Sequence, residues 1–161
     1  MSQPTKLLYF LLIGLFLGVT SCEDDALEEL PTADERIVWT GATFSFEKMD
    51  GANPTDAANQ DRLSSTVALT RGNEGGQIYN AISENSFDKD TSPAGTKWAL
   101  GTIDNIDNLD FKDFRDAIKP EDVVGVDLVL FLVEDNIFLS VRFTSWSKGK
   151  EGGFAYERSS R

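Results

Sequence analysis

The 161-residue sequence has no histidine and a single cysteine, Cys22. Without histidine there is no Ser-His-Asp or Cys-His machinery, no imidazole general base and no histidine-rich zinc site. Without a second cysteine no intrachain disulfide can form, which is compatible with an oxidising compartment. Positive charge is also scarce, at 15 Lys and Arg against 27 Asp and Glu, for a formal net charge of −12. So acidic a chain has no electrostatic reason to approach nucleic acid or an anionic membrane face, and neither is expected as a partner. The apolar run at residues 7–19 (LLYFLLIGLFLGV) carries no charge but is too short for a transmembrane helix, which needs about 20 residues. The catalytic chemistry left over is that of carboxylates: a glycosidase-like pair, or hard-metal binding through oxygen.

That run has the length of the apolar region of an export signal, behind a short polar stretch whose one charge is Lys6. The residues that follow, Val19-Thr20-Ser21-Cys22, resemble the lipobox of bacterial lipoproteins: a branched apolar residue, two small ones, then cysteine. The resemblance implies cleavage after residue 21 and lipidation of Cys22, so that the partner at this end is a membrane reached through lipid. More than one acyl chain makes such anchoring stable, at about 0.8 kcal/mol per buried CH₂. Glu23, Asp24 and Asp25 come next and resemble the acidic export signal of Bacteroidetes-type lipoproteins, which implies the outer membrane with the protein facing the cell exterior. Acids dominate as far as residue 36 and repel one another, so residues 22–36 read as an extended tether and residues 37–161 as the folded domain.

Period-two patterns dominate that domain. Phe44 with Phe46, Val67 with Leu69, Trp98 with Leu100 and Phe154 with Tyr156 each mark a short strand between polar turns. In residues 126–146 a two-residue turn at Asp135-Asn136 would pair Leu132 with Leu139, Leu130 with Val141 and Leu128 with Phe143. All six then lie on one face, and the other face, with Val133, Phe131 and Phe138, is mixed. Trp146 falls on the mixed face. Residues 110–119 read as one helix carrying Phe111, Phe114 and Ile118 on a shared face, capped by Asp110 and ended by Pro120. Residues 56–62 could add another helical turn. The fold class expected is all-β: a single antiparallel β-sandwich or jelly-roll-like domain with one short helix. The strings AANQDR, LTRG, GGQIYNA, SPAGTKWALGT and FTSWSKGKEGGFAYERS resemble a domain recurring in secreted and surface proteins of Bacteroidetes-type bacteria. That resemblance implies one domain at the cell surface and supplies no site.

Three aromatic residues are the ligand-binding candidates: Trp146 first, then Trp98 and Trp39, with Tyr79 and Tyr156 as possible neighbours on a platform for sugar rings. The competing role for each is core packing. Asp50, Asp56, Asn59 and Asp61 in one loop, and Asp104, Asp107 and Asp110 in another, could offer oxygens to Ca²⁺, but neither has EF-hand spacing; solvated loops with Asx-turns are the simpler expectation, and no cofactor is assigned. The glycine segments GNEGG (72–76) and GKEGG (149–153) lack the Gly-Lys-Ser/Thr of a phosphate loop and read as turns. Three function classes stay open. The first is a non-catalytic binding module for a glycan or a protein. The second is an assembly lipoprotein docking on an outer-membrane protein through Phe131, Val133 and Phe138. The third is a carboxylate hydrolase.

Overall fold

Polar and glycine-rich turns cut the chain into short pieces, and nine of those described are strands. The computed structural model describes residues 30–161, so Cys22, Glu23, Asp24 and Asp25 lie outside the described residues. In order come β1 (Ile37–Trp39), β2 (Thr43–Lys48), β3 (Asp61–Arg62), β4 (Ala68–Arg71), β5 (Ile78–Asn80) and β6 (Thr96–Leu100). A single helical turn, α1 (Phe114–Ala117), precedes β7 (Asp127–Leu132), β8 (Ile137–Trp146) and β9 (Phe154–Ser159). Short 3-10 turns lie at Ala57–Asn59, Ile103–Asn108 and Pro120–Asp122.

The strands form two sheets. β2, β9, β8, β7 and β6 are neighbours in that order, with β1 alongside β8 as the sixth strand; β3, β4 and β5 make the smaller sheet. The fold is all-β and sandwich-like, as expected. One strand pair departs from the antiparallel rule: β1 runs parallel to β8, with Ile37 opposite Ile137 and Trp39 opposite Leu139. Alternation along each strand supplies the core. Leu128, Leu130 and Leu132 of β7, Leu139, Val141 and Phe143 of β8, and Phe154 and Tyr156 of β9 pack with Leu69 and Ile78 from the smaller sheet.

The outer face of the large sheet is also covered. Phe131 and Phe138 stack at 4.3 Å, and the Phe111 ring meets them edge-on at 6.0 and 5.5 Å. Arg36 lies over Phe138 at 5.7 Å, and Ile106 of the neighbouring 3-10 turn is buried. Phe131 and Phe138 are therefore interior residues, which takes those two out of the docking face expected at Phe131, Val133 and Phe138; Val133 is half-buried.

Two local expectations need correction. The β7–β8 connection turns through four residues, 133–136, with Asn136 in the left-handed region at φ 54°. Leu132 consequently pairs with Ile137, Leu130 with Leu139 and Leu128 with Val141, each two residues from the expected partner. A slip of two preserves every face because side chains alternate with period two, so the six apolar residues still share the core. The helix expected over residues 110–119 shortens to one turn. Lys112 is extended and exchanges two 2.8 Å backbone hydrogen bonds with Trp98 at the edge of β6. Phe111 thus stays on the outer face while Phe114 enters the core, and the Phe114 amide is capped by Ser92 Oγ rather than by Asp110. Residues 56–62 do hold one helical turn, a 3-10 turn at Ala57–Asn59, and then continue into β3. Pro120 does not itself end the helix, which stops at Ala117 with Ile118 already extended; it holds Lys119 extended and opens its own 3-10 turn.

Candidate functional site

The three tryptophans have different fates. Trp98 is fully buried, its indole N–H donating to Thr96 Oγ1 at 3.1 Å. Trp39 is 8% exposed and belongs to the core cluster. Tyr79 and Tyr156 are buried as well. Neither Trp98 nor Trp39 can present a ring to a sugar, and no row of aromatics exists among the described residues.

Trp146 is partly exposed, but not on the face expected. Phe143 pairs with Tyr156, Ser145 with Ala155 and Trp146 with Phe154, so two steps along β8 match one along β9. This bulge reverses the inside–outside alternation beyond Phe143. It turns the Trp146 ring inward, against Phe143 at 5.6 Å and against Phe114 and Phe154 at 6.2 Å. What remains exposed of Trp146 opens into a pocket of about 280 Å³ at the end of the sandwich. The pocket is also lined by Arg71, Arg115, Glu121 and Lys148, with Gly76 and Gly149 at its rim. Two further pockets, of about 210 and 360 Å³, contain no aromatic ring.

Arg71 reaches this pocket from β4. Its Nε donates to the Gly76 carbonyl at 3.0 Å, and Nη1 donates to the Ser147 and Gly153 carbonyls, each at 2.9 Å. The guanidinium lies over the Trp146 ring at 4.1 Å, a cation–π contact. Burial lowers its pKa, while the charge of Asp50 acts in the opposite sense. Beside it Lys48 is buried too, donating to Asn73 Oδ1 at 2.9 Å and to the Gly152 carbonyl at 3.1 Å. The two glycine segments are turns, as read, and they also face each other here. A Cβ on Gly152, whose φ is +74°, would stand 2.7 Å from the Gly72 carbonyl oxygen. Only glycine permits both that backbone conformation and that approach.

The acidic candidates other than Asp104, which is exposed in the Ile103–Asn108 turn, make local contacts. Asp61 is buried beneath Arg158, accepting from Nε at 2.7 Å and Nη2 at 2.9 Å, and from the Tyr156 hydroxyl at 2.6 Å. Burial, and then Asp61, hold the Tyr156 phenol well above its usual pKa. Asp50 accepts from the Gly153 amide, Asp56 from Asn53, and Asn59 donates to the Asn53 carbonyl. Asp107 pairs with Arg36 and Asp110 with Lys112. Among the described residues no group of three or more Asp, Glu, His or Cys side chains is placed to hold a metal ion. Among the described residues Glu121 is the one carboxylate lining the Trp146 pocket.

Arg71, Arg115 and Lys148 were not legible as site residues from composition. One signal existed: Arg71 continues the alternating face of Val67 and Leu69, which places a cation where a core residue belongs. Comparison of the chain with family models, curated proteins and solved structures finds no match.

Proposed function

We propose that this chain is a lipid-anchored, surface-exposed outer-membrane lipoprotein whose β-sandwich binds a glycan without catalysis, in the pocket at Trp146. The observation that carries the reading is the contrast among the tryptophans: Trp39 and Trp98 are buried, whereas among the described residues Trp146 lines an open pocket with cationic and polar groups around it. Such a combination of an apolar wall and a few convergent polar groups is what small-ligand sites use. The VTSC and EDD motifs support the address.

A glycan array probed with the full chain should find a ligand for the wild type. Trp146→Ala should weaken that interaction about tenfold, near the low end of aromatic stacking because Arg71 already covers part of the ring. The ring is only partly buried, so the substitution should cost about 2–3 kcal/mol, short of a full core loss. A melting curve run beside the array separates lost binding from lost folding. A folded Trp146→Ala protein that binds the glycan as well as the wild type would remove this residue from the site.

The anchor is tested separately. Mass spectrometry of the membrane fraction should recover an acylated amino-terminal peptide beginning at Cys22, and Cys22→Ser should release the protein from the membrane. A Cys22→Ser protein still bound to membrane would sink the lipid reading.

A further inference from the structure

Arg71 is 2% exposed, yet among the described residues no carboxylate lies within ion-pairing distance of it. Its three backbone partners fix its position but bring no negative charge, and Asp50, whose charge does reach it, is bonded to the Gly153 amide rather than to the guanidinium. A buried charge is costly unless it is paired and hydrogen-bonded. A guanidinium has five N–H groups, and the three carbonyls use Nε and both hydrogens of Nη1. The two N–H groups of Nη2 have no partner among the described residues, and the side chain lines the Trp146 pocket. The site is thus a guanidinium with three of its five N–H groups held by carbonyls, the indole against it and Nη2 not closed off from the pocket.

Its surroundings carry the same sign. Arg115 and Lys148 line the pocket and form no ion pair among the described residues, while Glu121 is the single acid there. Three cations therefore face one anion, on a chain whose formal net charge is −12. The pocket reverses the sign of the protein that bears it.

We infer that the glycan taken at this pocket is acidic, a uronic-acid sugar whose carboxylate is received by the Nη2 edge of Arg71, with Arg115 and Lys148 flanking. The inference rests on the glycan reading above and narrows it. A carboxylate supplies the charge and the acceptors that the carbonyls lack, and charge-assisted hydrogen bonds of this kind are about twice as strong as neutral ones. The pocket, at about 280 Å³, is at the small end for ligand sites, which suits a single ring of a chain lying across the mouth. Trp146 supplies an apolar edge beside the carboxylate seat.

The test is calorimetry on the detergent-solubilised full chain with tetrasaccharides of galacturonate and mannuronate and a hyaluronan tetrasaccharide. Methyl esters of the same sugars serve as uncharged controls of matched shape, and a sulfated galactan as an anion of different chemistry. At least one uronide should bind about tenfold or more tighter than its ester, with affinity falling as salt rises. Arg115→Ala combined with Lys148→Ala, both exposed positions, should keep the fold and lose about tenfold for the acid with little change for the ester. Arg71→Lys, checked for folding by melting, should abolish the preference for acid over ester, because an ammonium cannot reproduce the braced planar fork. Equal binding of acid and ester would overturn the inference while leaving the glycan reading intact, as would capture of neutral glycans alone. Binding of the sulfated galactan in place of every uronide would overturn the carboxylate assignment. Failure to bind any glycan, neutral or acidic, would overturn both.

Discussion

Asp61→Ala should destabilise the domain by about 3–5 kcal/mol, the range for removing one member of a buried ion pair. The carboxylate is the only charged partner of a largely buried Arg158 among the described residues, and it also receives the Tyr156 hydroxyl. Truncating it strands a guanidinium and a phenol together in the interior. The pair joins β3 of the small sheet to β9 of the large one, so the loss falls on the contact between sheets. Urea denaturation measures it directly. Asp61→Ala combined with Arg158→Met should recover much of the loss, since an apolar replacement of a whole buried pair is often neutral or better. A single-mutant cost below about 1 kcal/mol would mean that Arg158 escapes to solvent, and that the pair does not clamp the sheets.

Trp98→Ala should be comparably severe, at about 3–5 kcal/mol, for a different reason. The indole is fully buried between Phe114, at 4.9 Å, and Phe143, at 6.3 Å, and its N–H is satisfied by Thr96. Alanine there leaves a cavity and removes two aromatic contacts, with the Thr96 hydroxyl losing its donor. Trp98→Phe should cost less because most of the ring contacts survive. Where enough folded Trp98→Ala protein remains, any glycan binding of the kind proposed above should be unchanged, because the ring does not line that pocket. A stability loss below about 1 kcal/mol would contradict the placement of this ring in the core.

The parts of the fold that local pattern specifies were legible in the sequence. Alternation assigned the inward faces of β7, β8 and β9, and even a wrong turn length left those faces correct, because the error was an even number of residues. Three things lay outside local pattern. The small sheet is built from strands of two to four residues with Asp61, Arg71 and Asn80 buried in it, so it shows no long apolar period. The bulge after Phe143 is set by pairing with β9, a partner distant in sequence, and it decides which way Trp146 points. The buried charges find their partners across the sandwich: Asp61 with Arg158, Lys48 with Asn73, Arg71 with the loop at Ser147. Yet each buried cation carried a mark. Lys48 extends the face of Phe44 and Phe46, Arg71 that of Val67 and Leu69, Arg158 that of Phe154 and Tyr156. A charge at the next beat of an apolar alternation is a charge the fold has to accommodate.

The parallel alignment of β1 with β8 fixes an orientation. The chain comes into the sandwich at Ile37, beside Ile137, whereas Trp146 ends the ten-residue β8 at the other extremity. At about 3.3 Å per residue the two points stand roughly 30 Å apart along the strand. Whatever holds the chain ahead of Ile37 therefore reaches β1 at the end of β8 away from Trp146 and the cationic pocket.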